Sequence, residues 1–306
     1  MIALLHHLLT APATPEIDSI DALRAHTRDL AATFPAPFDR GAATAFACDR
    51  VGFAFAAGYQ GALHALLPTL PIDATVSFCA TEVGGAHPRA IATRLEKAAG
   101  GGFVLDGKKR WSTFAPAADA LLVVASIGND DQGRNRLRVV RVDRRAEGVR
   151  VDAMPATPFA PEIPHAEVTL AGVRVRDEDV LEGDGYDRYV KPFRTVEDIH
   201  VFGALAAHLC GVARALAWPR DVVEDLAATI VLLRAMALAD PTAPALHVAL
   251  GGAFTRFRDL VDRTSSLWSA TPTETRARWE RDRPLLDVAG TARGKRLEAA
   301  WVALAK

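Results

Sequence analysis

Cysteine is scarce in this chain. Three residues in 306, at positions 48, 79 and 210, are odd in number and far apart. They supply neither a disulfide framework nor a metal-binding cluster, and a reducing, cytoplasmic setting is expected. An excess of positive charge is missing too. Lysine plus arginine (36) nearly cancels aspartate plus glutamate (37), for a net charge of −1. No broad basic field exists to hold nucleic acid or an anionic membrane. Long apolar runs are also absent. The run at 227–233 is far short of the roughly 20 residues that cross a bilayer. The opening Met1-Ile-Ala-Leu-Leu-His-His-Leu-Leu9 has no basic flank of the secretory type and reads as a short amphipathic helix. Internal repeats and low-complexity tracts are missing beyond general alanine richness.

What the chain does have is apolar mass. Half of its residues are hydrophobic and 24% charged, enough to bury a sizeable core. Three zones follow one another. Residues 1–74 read as a short helical domain: Ser19 is placed to cap a helix carrying Ile20, Leu23, Thr27, Leu30 and Phe34 on one side, with Pro35 and Pro37 ending it. A second helix is expected over 41–67, where alanine and glycine crowd together and permit close helix approach. Residues 75–183 switch to period two, with strands expected at 75–82, 90–98, 103–113, 120–126, 137–143 and 166–175. No helix intervenes, so an antiparallel sandwich or barrel is expected and a parallel βαβ sheet is not. Residues 184–306 return to helical period over 189–216, 220–239, 245–267 and 273–305, an antiparallel bundle broken by prolines.

The β zone carries the most specific text. Phe78-Cys-Ala-Thr-Glu-Val-Gly-Gly85 runs from a strand into a glycine turn, and Phe103-Val-Leu-Asp-Gly-Lys-Lys-Arg-Trp-Ser-Thr113 is a hairpin ending in an indole and a hydroxyl. Taken singly, such a tryptophan is more often a core residue, and such a Thr-Glu is an ordinary strand end. Together they can cradle a planar heterocycle. The pair resembles the acyl-CoA dehydrogenase family, whose segments run Tyr/Phe-Cys-x-Thr-Glu-Pro-Gly and Tyr-x-Leu-Asn-Gly-x-Lys-x-Trp-Ile-Thr. Leu170-Ala-Gly-Val-Arg-Val-Arg-Asp-Glu-Asp-Val-Leu-Glu-Gly183 is similar to that family's exit strand, and Arg281-Asp282 with Gly290-Thr291 to its late Arg-Asp and Glu-Gly-Thr stretch. The resemblance is clear over about 50–215.

It implies an α+β fold of helical domain, β module and helical bundle, a homodimer or homotetramer built through the bundle, and bound FAD. It further implies α,β-dehydrogenation of an acyl-CoA or similar thioester. A carboxylate takes the α-proton, a hydride passes to flavin N5, and the electrons go on to a separate flavoprotein acceptor. Backbone groups at Phe78 and Ala80 and the hydroxyl of Thr81 would face the ring edge, Trp111 would pack on the ring, and Thr113 would donate toward N5.

The departures matter as much. Val83 replaces the proline, and His87 and Pro88 stand where serine and aspartate are usual. The Arg-x-x-Phe-Gly motif for the FAD pyrophosphate is missing, leaving Arg214, Arg220 and Arg234 as candidates. Ala289 holds the usual position of the base and cannot abstract a proton. Val196-Glu-Asp-Ile-His-Val-Phe-Gly-Ala204 fits the family's minority pattern Glu-Arg-x-x-x-Ala-Ala and assigns the base to Glu197. The competing reading makes Glu197 and Asp198 polar residues of a first helical turn. A degenerate, flavin-poor binding protein and a flavin-dependent monooxygenase are the rival functions. His200 and His208, eight apart on one helix, read as core histidines, and no metal site is expected.

Overall fold

Ser19 does what its position requires: its side chain accepts a hydrogen bond from the amide of Ala22 at 3.2 Å and starts a helix. In the computed structural model, which describes residues 1–14 and 16–305, this helix is the second of four near the N-terminus: α1 (Ile2–Thr10), α2 (Ile20–Asp29), α3 (Pro37–Phe46) and α4 (Val51–Leu66). The stretch expected as one helix over 41–67 is therefore two. Pro37, expected to stop a helix, instead opens α3, where its missing N–H leaves no bond unmade. The alanines and glycines of α4 are there for contact. A Cβ at Gly58 would sit 2.6 Å from the Cα of Val201, so the two backbones touch at that point.

Seven strands follow: β1 (Val76–Cys79), β2 (Arg94–Lys97), β3 (Phe103–Thr113), β4 (Ala120–Asn129), β5 (Asn135–Asp143), β6 (Val149–Ala153) and β7 (His165–Val175). They form one sheet in the order β1-β4-β2-β3-β7-β6, with β5 also on β4. The β module is present, and its sheet is mixed: β1 and β2 both run parallel to β4 and the other pairings are antiparallel. Two strands differ from the sequence reading. The 90–98 stretch gives only β2, because Pro88–Ala90 forms a 3-10 turn. β6 was not expected: it is an end strand of five residues that pairs only with β7, and its alternating Val149 and Val151 pack against the sheet's core only partly buried. Leu105, Leu121, Val123, Val140, Val168 and Val173 fill the sheet's core.

The C-terminal half is helical again: α5 (Lys191–Ala215), α6 (Arg220–Met236), α7 (Pro244–Arg263), α8 (Thr273–Asp282) and α9 (Gly290–Leu304). The helix expected over 273–305 breaks into α8 and α9, with a 3-10 turn containing Pro284 over Arg283–Asp287. Together with the turn before it, α5 is long and apolar enough to cross a membrane, but 83% of that window is buried. It is a core helix.

The chain divides into two compact units. One is helical and comprises Met1–Asp73, Thr157–Glu162 and Phe193–Lys306; the other holds the sheet and comprises Ala74–Ala156 and Ile163–Pro192. Within the helical unit, Asp282 is fully buried and explains the Arg281-Asp282 pair seen in the sequence. It accepts the amide of Ala160 at 2.7 Å and the Arg281 guanidinium at 2.6 Å, and Arg281 reaches on to Glu162 at 3.2 Å. This network pins the 157–162 crossing to α8.

Candidate functional site

Phe78, Ala80, Thr81, Trp111 and Thr113 all lie in the sheet unit, and hydrogen bonds draw the two motifs that carry them together. The carbonyl of Thr81 accepts the amide of Arg110 at 2.8 Å. One residue on, the Glu82 carboxylate accepts from Lys109 Nζ at 2.6 Å, Thr93 Oγ1 at 2.8 Å, and the amides of Ala92 and Thr93 at 2.9 and 3.1 Å. The Lys109 side chain is entirely removed from solvent. Burial would raise the Glu82 carboxyl, but the ammonium and these hydrogen bonds outweigh it and hold it below its ordinary value. Burial draws the Lys109 ammonium below its ordinary value, and the hydrogen bond and charge of Glu82 oppose that shift. Gly107 makes room for the arrangement, because a Cβ there would lie 2.6 Å from Thr93 Cα.

Past Lys109 the strand bulges: its register against β7 shifts between Lys109 and Ser112. Within the bulge Trp111 has φ 54°, and just beyond it Phe114 has φ 67°, both in the left-handed region that bulky residues avoid. Phe114 is fully buried and donates its amide to the carbonyl of Pro164 at 2.8 Å, which fixes the turn from its far end. Such strain persists where surrounding contacts over-determine it, and it is a pointer to function. The outcome is an indole left 47% exposed on a rigid, strained turn. Thr113 sits two residues on, half-buried, its Oγ1 3.3 Å from His165 Nδ1. The His165 ring meets the Trp111 ring edge to face at 5.8 Å. An exposed flat apolar face with a hydroxyl beside it fits a planar heterocycle of the flavin type.

Glu197 belongs to the helical unit. It lies well inside α5, which is itself preceded by a helical turn at Tyr186–Val190, so the first-turn reading of Glu197 and Asp198 is overruled. The two neighbours behave differently. Asp198 is buried and committed, accepting from Arg293 Nε at 2.8 Å and from Arg296 Nη2. Arg293 in turn lies over the rings of Phe202 and Phe254 and donates to the carbonyl of Leu286. Glu197 makes no hydrogen bond or ion pair among the described residues. Burial, then the charge of Asp198, push its carboxyl up to about 8 against the pull of Arg293 and Arg194. This is the range of a general base working near neutral pH.

Other sequence candidates are structural. His200 and His208 donate from Nδ1 to the carbonyls of Val196 and Cys48, and burial pushes both down to about 4, so they are neutral core residues. Arg214 donates to the carbonyl of Leu8, and Arg234 forms a two-point pair with Asp39. Neither guanidinium is held ready for a phosphate. Ala289 precedes α9 and supplies no acid. Sequence reasoning passed over Lys109 and His165. For Lys109 a signal existed: strand alternation places it on the face of Leu105. His165 had none, because its meaning comes from pairing with Thr113 across 52 residues.

A family model described as "Acyl-CoA dehydrogenase, middle domain" matches residues 77–173. Benzylmalonyl-CoA dehydrogenase of Aromatoleum aromaticum is 33% identical over 153 residues, covering 48% of this chain and 38% of that protein. The mitochondrial short/branched chain specific acyl-CoA dehydrogenase of Rattus norvegicus is 30% identical over 123 residues, 39% of this chain and 28% of that protein. The chain thus spans well under half the length of these curated relatives. Among solved structures, butyryl-CoA dehydrogenase from Megasphaera elsdenii aligns over 99% of this chain and 96% of its own, at a TM-score of 0.68 and 15% identity. FMN-bound TdsC from Paenibacillus aligns over 98% and 95%, at 0.69 and 16% identity. At such identities the likeness is one of fold, an α+β fold of helices, a β module and further helices in chain order.

Proposed function

For a chain that belongs, through its middle domain, to the acyl-CoA dehydrogenase family, we propose an FAD-dependent oxidoreductase that dehydrogenates an acyl thioester between its α and β carbons. The observation that carries this reading is the half-exposed Trp111 indole, held on a left-handed backbone beside the Thr113 hydroxyl. A half-exposed aromatic held on a strained turn points to a surface that something else covers, and a planar ring is suited to stack there.

FAD supplies the hydride acceptor, chemistry no side chain can perform. The chain's own residues divide the remaining work. Trp111 would pack against the ring system, the backbone at Phe78 and Ala80 and the hydroxyl of Thr81 would hold its edge, and the hydroxyl of Thr113 would supply a hydrogen bond toward N5. Glu197 takes the α-proton, for which a carboxylate at its ordinary pKa is too weak a base and one near 8 is well matched. Arg220, exposed at the start of α6, is the remaining candidate of the three arginines for a phosphate. A thioester substrate is supported by the relatives, whose names place a CoA ester in the reaction.

Electrons leave to a separate flavoprotein. The chain works as a homodimer or homotetramer through its helical unit, where Trp301, Val302 and Leu304 of α9 are each more than half exposed. A cytoplasmic setting agrees with three buried, free cysteines.

The test is the visible spectrum of the FAD-loaded protein under nitrogen, before and after a panel of acyl-CoA thioesters. Bleaching of the flavin band by one of them is the expected result. Failure to retain flavin in a folded protein would favour the binding-protein reading that Ala289 suggests. Oxygen consumption by the reduced protein, in place of electron delivery to an acceptor, would favour a monooxygenase.

A further inference from the structure

His165 touches both side chains that the proposed function turns toward the flavin ring, and it belongs to neither motif. It opens β7, directly opposite Thr113 in the antiparallel register with β3. Its Nδ1 is 3.3 Å from Thr113 Oγ1, and its ring meets Trp111 edge to face at 71°. Backbone bonds hold the ring's base in place: the His165 carbonyl accepts the amide of Met154 at 2.8 Å, and the carbonyl of Pro164 accepts that of Phe114.

A threonine hydroxyl has one proton to give and two lone pairs to offer. If it gives the proton to the imidazole, it faces the ring only as an acceptor. If it receives a proton from the imidazole, its own remains for the ring. We propose that His165 is a positioning residue for the flavin-facing turn, donating from Nδ1–H to Thr113 Oγ1 so that the hydroxyl proton points to flavin N5. Burial lowers the imidazole's affinity for a second proton, which keeps the ring neutral with a single N–H to place. Packing against Trp111 alone would be met equally by a phenylalanine. The inference rests on the flavin reading above.

Two measurements decide it. The first is the 15N spectrum of His165 in the chain without added flavin, where a pyrrole-type Nδ1 is expected and a pyridine-type Nδ1 overturns the proposal. The second is the two-electron midpoint potential of the FAD-loaded protein. His165→Phe keeps a ring against Trp111 but removes the donor. Only oxidised flavin accepts at N5, since N5 of the reduced ring carries a hydrogen, so the variant's preference for reduced over oxidised flavin is expected to increase roughly tenfold, a rise of about 30 mV. His165→Asn, which restores an N–H near the Nδ1 position, is expected to reverse at least half of that rise. A wild-type potential in His165→Phe overturns the inference and leaves the flavin reading standing. A wild-type protein that takes up no flavin overturns both. Should His165→Phe fail to fold, the 15N spectrum and the Asn variant decide.

Discussion

Glu197→Gln is expected to slow the reduction of bound flavin by an acyl-CoA at least a hundredfold, with flavin uptake unchanged. Removing a positioned general base costs about 10² to 10⁴ in rate, and the amide is nearly the same shape. The wild-type rate is expected to rise with pH and level off above about 8, where Glu197 is ionised. The same raised pKa carries a stability signature with a definite sign. The folded-state value lies above the ordinary 4.5, so folding favours the protonated acid. That contribution is fully present below about pH 4.5 and is lost as the pH rises through about 8. Glutamine never ionises. Glu197→Gln should therefore melt close to wild type at pH 4 and several degrees above it at pH 9. The shift sets a ceiling of about 5 kcal/mol, and solvent reaching part of the side chain puts the real figure below that. Equal melting temperatures at pH 9, or an unchanged rate of flavin reduction, would remove Glu197 from the role of base.

The second large effect belongs to the Glu82–Lys109 pair. Lys109→Met leaves the Glu82 carboxylate among buried backbone with its cation gone, and Glu82→Gln leaves an ammonium with no exposed surface and no counter-charge. Breaking a buried pair by removing one partner costs about 3 to 5 kcal/mol. Removing both together is expected to cost less than either alone, because no charge is then stranded. The pair stabilises above about pH 4.5 and loses its effect on acidification, since Glu82 is held below that ordinary value. Denaturant unfolding of both single variants and the double variant at pH 7 checks this. Single variants within about 1 kcal/mol of wild type would show that hydrogen bonds from Ala92 and Thr93 suffice without the cation. The pair also matters to the site, because it ties the loop leaving β1 to the strand that ends in Trp111 and Thr113.

Much of the fold was legible in the sequence because it is written in local signals. The Ser19 cap, the period-two strands 103–113 and 166–175 and the proline-punctuated bundle depend on a few adjacent residues. The errors fall where neighbours in space decide. Pro37 can end a helix or begin one, and only the packing of α3 settles which. β6 is a short end strand whose core-facing valines are only partly buried, and the parallel pairing of β1 and β2 with β4 links residues some 30 to 45 apart. The site divides in the same manner. Trp111 and Thr113 are visible as text. Lys109 looks like a surface residue until alternation puts it beneath the sheet, and His165 acquires meaning only through the β3–β7 register. Asp198 and Glu197 are adjacent acids, distinguished by two arginines about a hundred residues later that hold one and leave the other.

The most direct trial of the central claim is an equilibrium titration of the purified chain with FAD, followed by flavin fluorescence, for the wild type and for Trp111→Ala. Saturable binding at one site per chain is expected, with an affinity loss of about tenfold or more in the variant, as for loss of one aromatic stacking partner. Wild-type affinity in Trp111→Ala, or no saturable binding in the folded wild-type protein, would contradict that claim.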